Sequence, residues 1–379
     1  MSIHACRIIA MAGAVAALEI VGLTSVPATP KAQAPAGAAA GGQEDAGRQA
    51  GAPGRGGLAN GQPGPNTPAG RAPEQGLVPD AWPRHEGSLL KYRVQIRFGE
   101  EPDTMPDGFK LGRVSAVATD TQGQVYVFQR GPKADPVVVF DSNGRYVRSW
   151  GKGVFGNPHG IRIGKDGNIW CVDNGNHQVY KFTRDGTLLQ TWGTKGVAGA
   201  DDKTFGRPTD IAWDSEGNFY ISDGYGNSRV VKFDRDGRYL TTWGTPGDGP
   251  GQFRVVHSIG IDSKDRLYVS DRENNRIQIF DVNGRLVKIW THLGATQGIF
   301  ITPKDEMWII THRNNTENIT YDTLAGQLMK IDLATGKVLG SLESPGHELT
   351  VSATGEIYVA SLTGNVFKWS PMPNWPQKP

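Results

Sequence analysis

One short string is written six times in this chain, and that repetition limits the folds open to it. It reads QVYVFQ at 124–129, NIWCVD at 168–173, NFYISD at 218–223, RLYVSD at 266–271, EMWIIT at 306–311 and EIYVAS at 356–361. A turn residue (Gly123, Gly167, Gly217, Asp265, Asp305, Gly355) precedes each string. The runs are short, rich in Val, Ile, Tyr and Trp, and broken by glycine, which predicts strands and excludes helices. Third strands follow, such as VYKF at 179–182 and IQIF at 277–280, then Asp-x-x-Gly hairpin turns at 141–144 and 281–284. Fourth strands end in Trp150-Gly, Trp192-Gly, Trp243-Gly and Trp290. A period of 40 to 50 residues carrying four antiparallel strands predicts an all-β, six-bladed β-propeller. The sixth unit stops after its third strand, VFKW at 366–369, while YRVQIRF at 92–98 resembles a fourth strand and precedes unit one. An N-terminal strand is therefore expected to close the last blade and leave no exposed sheet edge.

The six units bring equivalent residues into columns. Ser115, His159, Thr209, His257, Gln297 and His347 each stand eight positions before the turn residue. Alternate members are histidines, and alternate blades of a six-fold ring lie about 120° apart, so the imidazoles of His159, His257 and His347 can converge on the axis. Strict strand alternation would turn the column residues aside, because each shares a side with apolar residues such as Ile161 and Ile163. Pro158 and Pro208 instead place two of them at a loop-to-strand junction, where alternation does not yet hold. Three histidines suit a metal with an open coordination position and favour anionic ligands.

The position fifteen after the column reads Arg130, Asn174, Gly224, Arg272, His312 and Leu362, with Tyr225 next in unit three. Arginine's fork suits a carboxylate, and a tyrosine beside a metal and two cations suits a base. Asp173, Asp223 and Asp271 share one column and are read as ties between strands. His177 and His292 are read as surface residues, and His312 as a lesser rim candidate.

The remaining features bound the setting. Lys+Arg 40 against Asp+Glu 38 leaves no basic bias toward nucleic acid. Arg7, the apolar stretch from Ile8 to Leu18 and Ala32-Gln33-Ala34 predict a signal over 1–34, with a secreted or periplasmic product and no transmembrane domain. Residues 35–81, rich in Ala, Gly and Pro, predict a disordered linker before a propeller over 82–372 and a tail over 373–379. Of two cysteines, Cys6 falls in the signal and Cys171 in an apolar run, so Cys171 reads as a buried hydrophobe. Asn314-Asn-Thr316 and Asn318-Ile-Thr320 match the glycosylation pattern. A monomer is expected.

The local strings are more specific than the period. NPHGI at 157–161, RPTDI at 207–211, SDGYGNSR at 222–229, VHS at 256–258 with SDREN at 270–274, and GHE at 346–348 resemble NHL-type blades, and more narrowly those of peptidyl-α-hydroxyglycine α-amidating lyases. The resemblance runs from about Arg113 to Trp369 and implies zinc at His159, His257 and His347. It implies Tyr225 as base, and Arg130 and Arg272 as substrate contacts. The implied reaction cleaves the C–N bond of a peptidyl- or N-acyl-α-hydroxyglycine to an amide and glyoxylate. It also implies a structural calcium on the carbonyls of Val117 and Ile161 and the carboxylate of Glu348. Glu348 stands where the family has aspartate, and Gly226 where animal members have a disulfide cysteine. Two rival readings are a non-enzymatic NHL scaffold, whose best support is the polar insertion from Thr311 to Gly326, and a calcium-dependent lactonase, which would want acidic axial ligands.

Overall fold

The computed structural model describes residues 92–98, 105–312, 326–344 and 346–372. The expected signal, linker, tail and glycosylation sequences lie outside the described residues, as does most of the 311–326 insertion. Six four-stranded antiparallel sheets form, each from consecutive strands except one. The exception is the sixth, where Tyr92–Phe98 pairs antiparallel with Asn365–Pro371 and supplies the fourth strand. The ring is therefore closed as the sequence predicts. Phe98 anchors the closing strand by packing edge-on against Phe140 of blade 1 and Tyr358 of blade 6, at 5.5 and 5.7 Å between ring centres.

The inner strands are Val114–Thr119, Pro158–Ile163, Pro208–Trp213, Val256–Ile261, Ala295–Ile301 and Glu348–Val351 in blades 1 to 6, and each touches the next around the axis. Cores lie between blades. Trp170, Val172, Val179 and Trp192 of blade 2, for example, pack with Ile211, Phe219, Ile221 and Phe233 of blade 3. The second strands, 125–129 onward, are buried on both faces, which explains why their strings read as near-continuous apolar runs. All six turn residues ahead of them adopt left-handed backbone, from φ 57 at Asp265 to φ 89 at Gly217. Where aspartate replaces glycine it binds the neighbouring blade: Asp265 accepts from Ser215, and Asp305 from Ser263.

Two further ties repeat. Asp173, Asp223 and Asp271 accept hydrogen bonds from the amides of Gly156 and Asn157, of Gly206, and of Arg254, fixing the loop that leads into each inner strand. The latter two also pair with Arg229 and Arg276. They bind strands to loops, as their shared column suggested. His177 and His292 are half-buried blade clamps rather than surface residues. His177 Nδ1 accepts from the Arg207 amide at 3.0 Å, and His292 Nε2 bonds the Gly336 carbonyl at 2.8 Å. Cys171 is a fully buried free cysteine whose thiol burial pushes well above its ordinary value. Among the described residues no helix is long and apolar enough to cross a membrane.

Candidate metal centre

The column residues reach the axis through a local irregularity. Pairing of the inner with the second strand slips between Val114 and Ala116, Pro158 and Gly160, Pro208 and Asp210, Val256 and Ile259, and Thr296 and Gly298. Each slip is a β-bulge at the column position, and a bulge re-aims a side chain that strict alternation would bury sideways. His347 sits one residue ahead of its inner strand, with its amide bound to Ala360.

Each histidine then bonds the backbone of the next column residue around the ring. The Nδ1 atoms contact Thr209 O at 2.8 Å from His159, Gln297 O at 2.6 Å from His257, and Ser115 O at 2.7 Å from His347. A carbonyl only accepts, so each Nδ1 carries the proton and each Nε2 presents a lone pair. The three ligand atoms lie within 4.8 Å of one another, all in buried residues. Burial, reinforced by His347 and Arg130, holds the His159 imidazole well below the ordinary histidine value. Burial together with Arg272 does the same to His257. Mutually facing imidazoles, each held at Nδ1 by a backbone carbonyl, are the donor set that a tris-histidine metal needs. This trio could hold a metal ion.

The rim residues close over the trio. Tyr225 places its hydroxyl 2.9 Å from His257 Nε2, 3.4 Å from His159 Nε2 and 3.1 Å from an Arg272 nitrogen. With Nε2 as acceptor, that hydroxyl donates to His257. Arg272, in a one-turn helix over Arg272–Asn274, also donates to the Gln297 side chain at 3.2 Å and pairs with Glu273. Arg130 stands on the far side, where its Nε donates to Pro158 O, the residue before His159, at 2.7 Å. Gly224 leaves room for this arrangement: a Cβ there would meet the Val256 carbonyl, next to His257. His312 is buried at the end of its strand in blade 5. Sequence reasoning missed Arg207, whose guanidinium lies 5.2 Å from the centre of the Tyr225 ring, opening the string that runs through Thr209.

It also missed the polar cluster beside the histidines. Arg162 is almost fully buried and pairs with Asp210 through two bonds, of 2.9 and 2.6 Å. Burial opposes its charge, but Asp210 and Glu348 outweigh that and raise its pKa above the ordinary guanidinium value. An arginine inside the apolar strand from Gly160 to Ile163 was the available signal. The three expected calcium donors, Val117, Ile161 and Glu348, are buried. Their one carboxylate faces Arg162 at 3.4 Å and is pushed, chiefly by burial and then by Asp210, well above the usual carboxyl range. Calcium takes roughly six to eight oxygens, waters among them; the one carboxylate of this set faces a guanidinium through Oε2, a like charge that opposes a second cation there.

Comparison with known proteins agrees with the propeller fold. A 6-bladed beta-propeller family description matches residues 198–317, and an NHL repeat description matches residues 155–182. NHL repeat-containing protein 3 of Homo sapiens is 30% identical over 291 residues, covering 72% of this chain and 82% of its own. The chain belongs to the NHL-repeat propeller family. The chain is also similar to peptidyl-alpha-hydroxyglycine alpha-amidating lyase 2 of Drosophila melanogaster, 35% identical over 192 residues, 44% of this chain and 47% of the relative. Peptidyl-glycine alpha-amidating monooxygenase B of Xenopus laevis is 30% identical over 327 residues, 76% of this chain. The chain spans only 37% of that monooxygenase's length. A solved streptogramin B lyase shares the fold alone, with TM-score 0.50 and 16% identity over 75% of this chain and 99% of its own.

Proposed function

We propose that this protein is a zinc-dependent lyase that cleaves the C–N bond of a peptidyl- or N-acyl-α-hydroxyglycine, releasing an amide and glyoxylate. The observation that carries the reading is the meeting of three inward Nε2 atoms with the hydroxyl of Tyr225 and the guanidinium of Arg272. Relatives named as amidating lyases supply the reaction class. Zinc held by His159, His257 and His347 would polarise the substrate's α-hydroxyl.

The protein's own groups supply the rest. Arg272 and Arg130 flank the trio, and their forks suit the terminal carboxylate of the substrate, fixing the α-carbon over the histidines. Tyr225 Oη, acting as the phenolate, is the base that accepts the hydroxyl proton and then passes it to the departing nitrogen. The electron pair of that O–H bond forms the aldehyde C=O of glyoxylate, the C–N bond breaks, and the nitrogen leaves as an amide once it gains a proton. The carboxylate stays on glyoxylate, so no oxidant or water is consumed. The expected calcium has no place in this reading. A secreted or periplasmic location follows from the proposed signal at 1–34.

The test is metal analysis of the purified protein with a glyoxylate-release assay on α-hydroxyhippurate. Zinc near one per chain and glyoxylate release are expected in the native protein. His257→Ala should lose both, and Tyr225→Phe should keep zinc while slowing release by roughly a hundredfold or more. A native protein that binds no zinc ends the proposal.

A further inference from the structure

We propose that the axial channel beside the histidines carries its cation in the chain itself: the Arg162 guanidinium holds the place that a structural metal ion such as calcium would take. Arg162 projects from the inner strand of blade 2, Pro158–Ile163, and is 8% exposed. Its Nε and one terminal nitrogen grip Asp210 of blade 3 at 2.9 and 2.6 Å. That same nitrogen reaches Ile299 O of blade 5 at 2.9 Å and Glu348 of blade 6 at 3.4 Å, and the other reaches Leu349 O at 3.4 Å. Two carboxylates and two backbone carbonyls from three blades are an oxygen set suited to a hard cation. Here a planar donor with no acceptor atoms fills it, and its fork fits Asp210 bidentately.

The cluster continues around the axis. Asp210 also accepts from Ser258 Oγ of blade 4 at 2.7 Å and from the Ile259 amide at 3.2 Å. Ser258 Oγ in turn accepts from the Ile299 amide of blade 5 at 3.0 Å. One charge therefore organises polar groups from five of the six blades. Glu348 Oε1 is buried and accepts no hydrogen bond among the described residues. Oε1 lies 4.0 Å from His257 Nδ1, while the other oxygen of the same carboxylate faces the fixed guanidinium at 3.4 Å. A divalent ion on this carboxylate would therefore meet a like charge, and like charges repel strongly in a buried site.

The inference is independent of the lyase reading, because its readouts are calcium content and melting rather than glyoxylate. The zinc-loaded protein is analysed for calcium by atomic emission and melted with and without added calcium. No stoichiometric calcium and an unmoved melting temperature are expected. Arg162→Met, which keeps length and removes charge, leaves Asp210 and Glu348 unopposed and should lower the melting temperature by roughly 10 °C. Should that variant fail to fold, Arg162→Lys, which keeps the charge and loses the fork, should fold, melt below the native protein and still bind no calcium. One calcium per native chain with a raised melting temperature overturns the inference, as does an Arg162→Met protein that melts with the native one.

Discussion

At the scale of single residues, the site depends on atoms that never touch a ligand. Gly224 is the clearest case, because a methyl group there collides with the Val256 carbonyl and pushes on the strand that carries His257. Gly224→Ala is therefore expected to weaken metal binding at least tenfold while the protein still folds, measured by competition with a chromophoric zinc chelator. Equal affinity in the two proteins would show that the strand yields without moving His257. Protonation gives a second expectation. His159 and His257 sit well below the ordinary value of 6.5 in the fold and return toward it on unfolding. Below about pH 6.5 the unfolded chain thus binds protons that the fold refuses, so stability of the metal-free protein is full above that value and falls as pH drops. Thermal melts of stripped protein from roughly pH 7.5 to 5.5 should show the decline, and His257→Gln should flatten it. The trio was legible because three histidines share one register. Their direction was not, since a β-bulge is a property of strand pairing that no single strand's pattern records. Arg162 and Asp210 escaped notice for a related reason: they lie in different blades and meet only where two neighbouring inner strands come together.

At the scale of the element, the blades are joined by clamps whose two halves were each visible in the sequence, though their meeting was not. In blades 1 to 4 the tryptophan ending the outer strand lies against the glycine of the next blade's hairpin turn: Trp150 on Gly186, Trp192 on Gly237, Trp243 on Gly284 and Trp290 on Gly336. Gly237 is held at φ +87, and a Cβ there would lie 2.8 Å from the Trp192 indole nitrogen, which itself donates to Gly237 O at 3.1 Å. Gly237→Ala should cost about 1–3 kcal/mol in chemical denaturation, combining backbone strain and overpacking. Unchanged stability would mean that the indole swings aside freely. Repetition made the strands readable, because period and turn spacing are local. The clamp is a contact between units, and a period does not say which turn a tryptophan reaches.

At the scale of the whole molecule, a ring of blades that each touch only their neighbours has no direct coupling between alternate members. The structure supplies two devices that cross this limit. Arg162 links blades 2, 3, 5 and 6 through protein atoms alone. The histidine trio turns side chains of blades 2, 4 and 6 toward one point, where their ligand atoms lie within 4.8 Å of one another. A zinc ion bound at that point would tie alternate blades and stabilise the fold by mass action. At a free zinc concentration about a thousand times its dissociation constant the gain is about 4 kcal/mol. For a propeller of this size that corresponds to a melting temperature higher by roughly 10 °C than in the stripped protein. The gain should vanish in His347→Ala, which removes one nitrogen from blade 6, yet persist in Arg162→Lys, whose defect lies in the other device. Equal zinc-induced shifts in native and His347→Ala proteins would place the stabilising ion elsewhere and separate the trio from the stability of the ring.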